Sequence, residues 1–468
     1  MLNLDLRTIV KVTGGKTVIP AGLDEEKVLN TCICGAEVDS RKVEPGFVFV
    51  AAKGENVDGH SYIDKAFENG AIAVLCERIP QNQKANGLCI VVEDSYEALR
   101  AIAKFYREQL GDSIKVVAIT GSVGKTSTKE FVANVIAQKY KTHKTKGNRN
   151  SLIGLPMEIL SIEPGTEVAV LELGISEKGE MERLSAMAQP DIGVITNIGN
   201  CHLEALGDRD GVLAAKRAIY TALRPGGCAV LNGKDDKLAL IETVADKKPY
   251  RFGDSTENVW VTDVKNKQLY GSDAVIHIDM DGMQDSFKVA VGLPGYHMVS
   301  NAMTATIVGR LLDIDIPMIK QGIESTAALP HRSLVYKSSK YVIIDDCYNA
   351  NASSMKAAID LLMQGDGRKV AILGDMFELG TESEKLHREV GAYVAEKHVE
   401  LMIFVGTNAI GMKEGAKEGL VCEGQDIRYF ATKDDLYKEL DSLLMEGDTI
   451  LVKASRGMKF ETILEKLQ

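Results

Sequence analysis

Short apolar runs recur along the chain, and Gly- or Asp-rich turns separate them. In the first part of the sequence these runs are rich in β-branched residues and occupy positions 47–50, 72–75 and 89–92. That composition is typical of short buried strands. A helical pattern follows at positions 95–109, where apolar residues recur every three or four positions. We therefore expect a first α/β unit that ends with this helix.

The rest of the chain alternates apolar strands with helical patterns in two successive blocks. Between about residues 113 and 325 the predicted strands are 116–120, 168–172 and 193–196. In the block from about residue 327 onward they are 341–345, 370–373, 401–405 and 449–452. This alternation indicates parallel α/β architecture, and near-continuous apolar runs suit strands that are buried on both faces. The last block predicts a second, smaller doubly wound domain.

Length and charge narrow the class of protein. A chain of 468 residues is expected to form two to three domains. The net charge of -11 argues against a nucleic-acid partner, since binding the phosphate backbone needs a basic surface. No apolar run approaches the ~20 residues of a membrane-spanning helix. Asp5 and Arg7 interrupt the stretch where a signal peptide needs its apolar region, so secretion is not expected.

The cysteines suggest a reducing compartment. Eight of them are scattered without the spacing of a disulfide framework, which is typical of buried thiols in a cytosolic protein. Cys32 and Cys34 form one Cys-x-Cys pair that could bind a metal. No second pair or His cluster follows at zinc-finger spacing, so we interpret them as ordinary thiols.

The clearest chemical signal is a glycine-containing loop between a predicted strand and a predicted helix. The strand at 116–120 leads into Thr120, Gly121, Ser122, Val123, Gly124, Lys125, Thr126 and Ser127. Glycines let backbone N–H groups converge on phosphate oxygens, and a helix N-terminus adds partial positive charge. Lys125 would reach the β- and γ-phosphates, and the Thr126 hydroxyl would hold Mg²⁺. General Walker A spacing would place the first glycine at Ile119, so this loop is tighter. By itself the loop does not decide whether the protein is a kinase, a molecular switch or a ligase.

Polar groups also follow the next two strands. Glu172 ends one strand, and His202 lies shortly after the other. Ligands in parallel α/β sheets bind beyond the carboxyl ends of strands, so Glu172 is placed to bind Mg²⁺ and His202 to bind a second cation. The alternative is a glutamate that caps a helix and a histidine packed in a loop. Lys216 is an ordinary lysine by residue chemistry.

Together these segments resemble the ATP-binding domain of the Mur ligases, and the resemblance extends over essentially the whole chain. The matching segments are residues 120–126, 172–174 and 196–199 with His202 and Lys216, then 39–41, 46–51, 58–60, 145–151, 295–297 with Asn301, and 330–332. The resemblance implies three domains: a UDP-binding α/β domain at 1–108, a central P-loop domain with a parallel sheet at 109–326, and a Rossmann-like doubly wound domain at 327–468.

Three C-terminal segments resemble the branch of the family that adds D-alanyl-D-alanine. They are residues 345–351 with Ser354 and Met355, residues 373–380 with His387, and residues 453–459. The Asp-Asn-Pro-Arg signature of the diaminopimelate-adding branch does not occur in the sequence. Ala352 stands where proline is common, and Arg149 interrupts an Asn-rich run, which leaves the fine geometry of the acceptor site open.

The resemblance implies an ATP- and Mg²⁺-dependent ligase of peptidoglycan synthesis. It would phosphorylate the terminal carboxylate of UDP-N-acetylmuramoyl-tripeptide, and the amine of D-alanyl-D-alanine would attack the acyl phosphate. Such catalysis consists mostly of positioning and charge neutralisation. Lys125, Glu172, His202 and Lys216 would be the catalytic residues. Thr126 and Glu172 would hold one Mg²⁺, and His202 and a carbamylated Lys216 a second, because an ammonium has no acceptor atom.

The resemblance also implies further binding residues. Asn301 would lie near the adenine, and Arg332 and Asp346 would approach ATP from the C-terminal domain. The candidates for the dipeptide site are Asn349, Asn351 and Ser455, with ordinary turn chemistry as the alternative for the two asparagines. The candidates for the UDP end of the other substrate are Ser40, Arg41, Lys53 and His60. Closure of the two ATP-contacting domains would expel water.

Other functions stay open at this point. A folate-polyglutamating or cyanophycin-making ligase is the nearest alternative, and a P-loop regulatory or transport protein is a different class. The sequence leaves undecided whether the third residue of the tripeptide is lysine or diaminopimelate. It also leaves the kinetic order and the oligomeric state open. Our expectation is a cytoplasmic monomer.

Overall fold

A computed structural model describes residues 4–54, 57–82, 84–419 and 424–468. Its strands form three sheets, of five, nine and six strands, that follow one another along the chain. Helices cover these sheets, and the largest hydrophobic cluster runs from the first sheet into the second. Within the described residues, the helices are all too short or too polar to cross a membrane.

The N-terminal sheet has the order β1-β5-β4-β3-β2, in which only β1 is antiparallel to its neighbour. Its strands are β1 Lys16–Val18, β2 Gly35–Glu37, β3 Phe47–Ala51, β4 Ala73–Cys76 and β5 Leu88–Val91. Its helices are α1 Leu6–Thr13, α2 Glu25–Leu29, α3 Ile63–Glu68 and α4 Ser95–Leu110. The Asp94 side chain caps α4 by accepting from the backbone N–H of Glu97. The apolar face of α4 packs on the central domain, where Tyr106 donates to the carbonyl of Ile162 at 2.9 Å.

The central sheet has the order β14-β13-β12-β11-β10-β9-β6-β8-β7. Its strands are β6 Lys115–Thr120, β7 Thr142–Lys144, β8 Val168–Glu172, β9 Ile192–Ile195, β10 Cys228–Asn232, β11 Tyr250–Gly253, β12 Val259–Asn266, β13 Ser272–Met280 and β14 Met283–Val291. Its helices are α5 Lys125–Ile136, α6 Gly154–Ile159, α7 Glu180–Ala188, α8 Leu203–Leu206, α9 Arg209–Arg217, α10 Tyr296–Leu311 and α11 Ile316–Glu324. The strands from β7 to β12 are parallel, so the carboxyl ends of β6, β8 and β9 meet at one edge.

One part of this sheet differs from the parallel architecture predicted from the sequence. β12, β13 and β14 form an antiparallel meander. Along β13, buried residues alternate with more exposed ones, so only one face of this part is covered. The sequence analysis predicted strands from near-continuous apolar runs. A strand in which apolar and polar residues alternate does not contain such a run.

The C-terminal sheet has the order β15-β16-β20-β17-β18-β19, and only β15 is antiparallel. Its strands are β15 Leu334–Lys337, β16 Val342–Asp345, β17 Lys369–Gly374, β18 Leu401–Val405, β19 Asp426–Phe430 and β20 Thr449–Lys453. Its helices are α12 Ala352–Leu362, α13 Ser383–Glu396, α14 Ala409–Glu418, α15 Lys433–Leu443 and α16 Glu461–Leu467. The predicted three-domain α/β fold is therefore confirmed.

Candidate active site

The phosphate loop connects β6 to α5 and approaches the neighbouring strand closely. Gly121 has a φ of 154°, and a Cβ atom there would lie 1.9 Å from the Thr196 Oγ1. Gly124 adopts a left-handed conformation, with φ 82°, directly before α5. Both positions therefore favour glycine. The Lys125 ammonium folds back and donates to the carbonyl of Gly121 at 2.8 Å, so it lies over the concave side of the loop.

The segment after β9 holds this loop in place. The Asn197 side chain accepts from the backbone N–H of Val123 at 2.9 Å and donates to its carbonyl at 2.9 Å. The hydroxyl of Thr196 donates to the same carbonyl at 2.7 Å. Because these bonds hold both the N–H and the carbonyl of Val123, and hence the two peptide groups that flank this residue, the loop is organised for an anion before any anion binds.

Glu172 ends β8 next to the loop and is 2% exposed. Its backbone N–H donates to the Thr145 hydroxyl at 2.9 Å, and its Oε1 accepts from the Asn150 amide at 2.7 Å. Its Oε2 is buried and has no hydrogen-bond partner within the described ranges. A buried carboxylate oxygen without a partner is costly unless a cation is nearby, and the Thr126 hydroxyl lies at the same edge of the sheet.

Lys216 lies in α9, near Lys125 of the loop, and is 1% exposed. Burial, and next the neighbouring Lys125 ammonium, lower the pKa of Lys216 to about 8. Among the described residues no hydrogen bond or ion pair holds its amine. Lys216 is thus a buried amine, unlike the surface lysine that its residue type alone suggests.

His202 lies between the central and C-terminal domains. It has a φ of 52°, and its Nδ1 lies 2.7 Å from the Oε2 of Glu378, in the loop after β17. Hydrogen bonding to His202 lowers the pKa of Glu378. No described residue forms a hydrogen bond or ion pair with the second ring nitrogen of His202, which leaves it available to a ligand in the cavity.

A cavity of about 600 Å³ lies between the central and C-terminal domains. The predicted residues that line it are Ser122, Val123, Gly124, Lys125, Thr126, Ser127, Glu172, His202, Asn301, Arg332, Asp346, Asn349 and Asn351. Thr120, Gly121 and Lys216 do not line this cavity, although Lys216 lies near Lys125. The P-loop and the C-terminal candidates therefore face each other across one space.

The C-terminal wall is built around a buried ion pair. The Lys453 ammonium, at the end of β20, lies 2.6 Å from Asp346 Oδ2 and 2.9 Å from the carbonyl of Asn349. Asp346 Oδ1 also accepts from the backbone N–H of Ser333 at 2.8 Å. The Arg332 guanidinium lies 3.9 Å from the centre of the Tyr348 ring. Asp346 is therefore held in place before substrate binds.

The other dipeptide candidates have structural partners. Asn351 caps α12 by accepting from the backbone N–H of Ser354, the turn chemistry that was its alternative interpretation. Ser455 is 3% exposed, does not line the cavity, and accepts from the backbone N–H of Phe377 at 2.9 Å. Its role in dipeptide binding stays a prediction.

The four UDP-site candidates lie together at one end of the N-terminal sheet but differ in exposure. The Arg41 side chain is 85% exposed and pairs with Asp39 at 2.8 Å. Lys53 is also exposed, and its backbone pairs with that of Asp58 in an isolated bridge. Ser40 is buried, and its carbonyl accepts from the Asn69 side chain.

His60 is fully buried. Its Nδ1 lies 2.6 Å from Asp58 Oδ1, and its Nε2 accepts from the backbone N–H of Glu77 at 3.1 Å. Both ring nitrogens are therefore occupied within the domain. His60 would therefore contribute to substrate binding by holding Asp58 in position.

Several residues of the site had no role in the sequence prediction. Three of them lie within segments that resemble the family: Asn150, Glu378 and Lys453. Their residue types do not reveal their contacts, which are with Glu172, His202 and Asp346 respectively. Asn197 had a signal, since it follows β9 at the carboxyl edge. Asn197 contacts the phosphate loop itself. The rule that ligands bind beyond the carboxyl ends of strands does not predict that contact.

The fold and site define a class of protein, the P-loop enzymes in which a second α/β domain completes the ATP cavity. Three family models match successive parts of the chain: Mur ligase family, catalytic domain, at residues 33–107; Mur ligase middle domain at 119–309; and Mur ligase, glutamate ligase domain, at 331–456. The chain belongs to the Mur ligase family.

Similar proteins from two bacteria are both named UDP-N-acetylmuramoyl-tripeptide--D-alanyl-D-alanine ligase. The Bacillus subtilis protein is 37% identical over 93% of both chains, and the Escherichia coli protein is 32% identical over 94% of this chain and 96% of its own. A crystal structure of MurF from Acinetobacter baumannii superposes with a TM-score of 0.87 at 30% identity, covering 99% of this chain and 98% of that one. The MurF ligase of Thermotoga maritima in complex with ADP has a TM-score of 0.77 at 29% identity, covering 93% and 96%.

Proposed function

We propose that this protein joins D-alanyl-D-alanine to UDP-N-acetylmuramoyl-tripeptide, with cleavage of ATP to ADP and phosphate through an acyl phosphate. The observation that carries the proposal is the cavity between two domains, with a phosphate loop on one wall and the Asp346, Asn349 and Arg332 wall opposite. The shared name of relatives that cover more than nine-tenths of the chain gives the substrates. As an ATP-dependent step on a nucleotide-linked precursor, the reaction belongs in the cytoplasm, and we propose that a monomer carries it out.

The residues around Glu172 fit Mg²⁺. The unpartnered Glu172 Oε2 and the adjacent Thr126 hydroxyl are the hard oxygen donors that this ion prefers. The ion would neutralise phosphate charge when it is bound there. Asn150 would keep the Glu172 carboxylate turned towards the loop, and the Lys125 ammonium would leave the Gly121 carbonyl for the phosphate oxygens.

We further propose that Lys216 acts as a carbamate. Its amine is buried, its pKa is lowered towards neutrality, and it has no partner among the described residues. An uncharged amine can add CO₂ and release one proton, and the resulting anion would offer oxygens to a second Mg²⁺ beside His202. A free ammonium at this position would instead repel the metal.

The opposite wall supports an acyl-transfer role. The Lys453–Asp346 pair and the Arg332–Tyr348 contact keep charged groups fixed near the site where the carboxylate of the tripeptide would meet the γ-phosphate. Closure around both substrates would keep water from the acyl phosphate, whose hydrolysis would waste ATP. Asn349 and Asn351 are proposed to bind the dipeptide at this wall.

The test is ADP release measured with each substrate omitted in turn, together with the mass of the product. We expect turnover only when UDP-N-acetylmuramoyl-tripeptide, D-alanyl-D-alanine and Mg²⁺-ATP are all present. L-Alanyl-L-alanine is the matched control acceptor. Tripeptides ending in lysine and in diaminopimelate, tested side by side, determine the third residue. ATP hydrolysis without the tripeptide would favour a P-loop regulatory protein, and turnover with folate and glutamate would favour the folate branch.

A further inference from the structure

Three side chains of metal-ligating type meet at the rim of the cavity, and the proposed ligase function uses none of them. They are His331, in the loop before β15, Asp345, at the end of β16, and Cys347, two residues later. Their ligand atoms all lie within 4.8 Å of one another. Asp345 and Cys347 are buried, whereas His331 is partly exposed and lines the cavity.

The separations between these atoms suit a tetrahedral ion. Cys347 Sγ lies 3.5 Å from His331 Nδ1 and 3.3 Å from Asp345 Oδ1, and Nδ1 lies 3.1 Å from the same oxygen. A tetrahedral zinc ion at ordinary bond lengths would hold sulfur, nitrogen and oxygen ligands about 3.4–3.6 Å apart. The largest change needed to admit the ion is therefore only about 0.3 Å.

The surrounding backbone fixes the three groups. The Asp345 carboxylate accepts from the backbone N–H of His331 at 3.2 Å, and the N–H of Tyr348 donates to the carbonyl of His331 at 3.0 Å. His331 has a φ of 64°, in the left-handed region that favours glycine, so these contacts hold a non-glycine residue there with its ring against Asp345.

We propose that His331, Asp345 and Cys347 bind a divalent transition metal of the zinc type, with the fourth position open to the cavity. Thiolate and imidazole select zinc over magnesium, which requires oxygen ligands. On binding, the thiol proton of Cys347 passes to solvent and Sγ binds as the thiolate, while a neutral His331 ring binds through Nδ1 with its proton on Nε2. The ion bridges two segments, the loop that contains His331 and Arg332 and the end of β16. Its effect is to stiffen the C-terminal wall.

Cobalt is the probe, because Co²⁺ bound to a thiolate gives an intense near-ultraviolet charge-transfer band that oxygen-bound Co²⁺ lacks. The full chain is titrated with Co²⁺ in excess Mg²⁺, and Zn²⁺ is then added. We expect about one thiolate-bound Co²⁺ per chain and loss of the band on addition of Zn²⁺.

Two variants test the ligands. Cys347→Ser, nearly isosteric, should abolish the band. His331→Gly suits the left-handed backbone, so it should fold and weaken Co²⁺ binding at least about tenfold, the loss of one of three ligands. Cys228→Ser, at a partly exposed thiol in the central sheet, and Cys34→Ser, in the Cys-x-Cys pair, are the controls and should keep the band. Thermal unfolding checks that each variant is folded.

A band that survives in Cys347→Ser, or that disappears in Cys34→Ser, would overturn the proposal by placing the metal at another thiol. Absence of the band from the folded wild-type protein would do the same, and so would unchanged affinity in His331→Gly. None of these results bears on the ligase assay, which is run with Mg²⁺ alone.

Discussion

At the scale of single residues, buried charge carries most of the site's chemistry. In the described part of the chain, a Glu172 oxygen and the Lys216 amine have no hydrogen-bond partner, and Asp346 holds the Lys453 ammonium. Removing such groups affects activity and stability in different ways, which allows their roles to be separated.

Lys125→Ala should reduce turnover by about 10²–10³-fold or more without loss of the fold, because it removes the cation of the phosphate loop. Among the described residues its ammonium donates a hydrogen bond only to the Gly121 carbonyl, so little packing is lost. Steady-state ADP release and a thermal melt are the measurements. Lys115→Ala, at an exposed lysine of the same strand–loop unit, is the control. An active Lys125→Ala protein would contradict the phosphate-loop assignment.

Lys216→Met should abolish activity yet stabilise the protein at pH 7 in CO₂-free buffer. The pKa of Lys216 is about 8 in the folded state and 10.5 ordinarily, so below pH 8 folding carries the full cost of burying the ammonium. That cost is on the order of 3 kcal/mol. Between pH 8 and 10.5 the unfolded chain keeps the proton that the folded chain has lost, so the wild-type protein regains stability as the pH rises.

The measurement is urea unfolding of both proteins at pH 7 and pH 10. The free energy of unfolding of Lys216→Met should exceed that of the wild-type protein by less at pH 10 than at pH 7. Lys216→Arg, which keeps the charge but cannot form the carbamate, should be inactive and gain no stability. Retained activity in Lys216→Arg would contradict the carbamate proposal, and short carboxylic acids should partly rescue Lys216→Ala.

At the scale of elements, the sequence pattern predicted ten of the twenty strands in the described part of the chain, but not which strands pair with which. Strand β6 and the start of α5 follow from an apolar run, a glycine loop and Lys-Thr. The meander of β12 to β14 was missed because half-buried strands alternate in polarity. Lys216 is the opposite case, because its burial depends on how α9 packs against α7 and α8 and brings the amine near Lys125, about ninety residues earlier. No local pattern encodes that contact.

Gly121→Ala should weaken ATP binding at least about tenfold, since its Cβ would lie 1.9 Å from the Thr196 Oγ1 and displace the loop. Equilibrium binding of a non-hydrolysable ATP analogue measures the effect. Thr196→Ala in the same protein removes that hydroxyl and should restore part of the affinity. Gly292→Ala, where a Cβ would meet nothing within 4 Å, should bind normally. Normal binding by Gly121→Ala would show that the loop does not depend on this close approach.

At the scale of the whole molecule, ionic contacts join the central domain to both neighbours near the catalytic atoms. His202 meets Glu378 of the C-terminal domain, and Arg149 meets Glu37 of the N-terminal domain at 2.7 Å. Glu37 is buried, and Arg149 is followed directly by Asn150, which holds Glu172. The position of the N-terminal domain is therefore connected to the Glu172 carboxylate, which is proposed to hold Mg²⁺.

Arg149→Ala should lower the free energy of unfolding by about 2 kcal/mol, because it leaves the buried Glu37 carboxylate unpaired. It should also raise the KM for the UDP-linked substrate more than the KM for ATP. Arg183→Ala is the matched control, since Arg183 pairs with Glu97 across the same two domains but both side chains are about half exposed. Arg183→Ala should lower the free energy of unfolding by less than about 1 kcal/mol. Equal effects of the two substitutions would show that the buried pair has no special role.

The two walls of the cavity also belong to separable stretches of chain. The last strand of the central sheet ends at Val291, its last helix ends at Glu324, and the next strand begins at Leu334. A chimera joined at residues 325–329 would interrupt neither a strand nor a helix. It would exchange the C-terminal wall, where Asn349 and Asn351 are proposed to bind the dipeptide, while leaving the phosphate loop intact. On that proposal, the preference for one acceptor would pass with the C-terminal domain from one relative to another, so domain exchange is a route to engineer it.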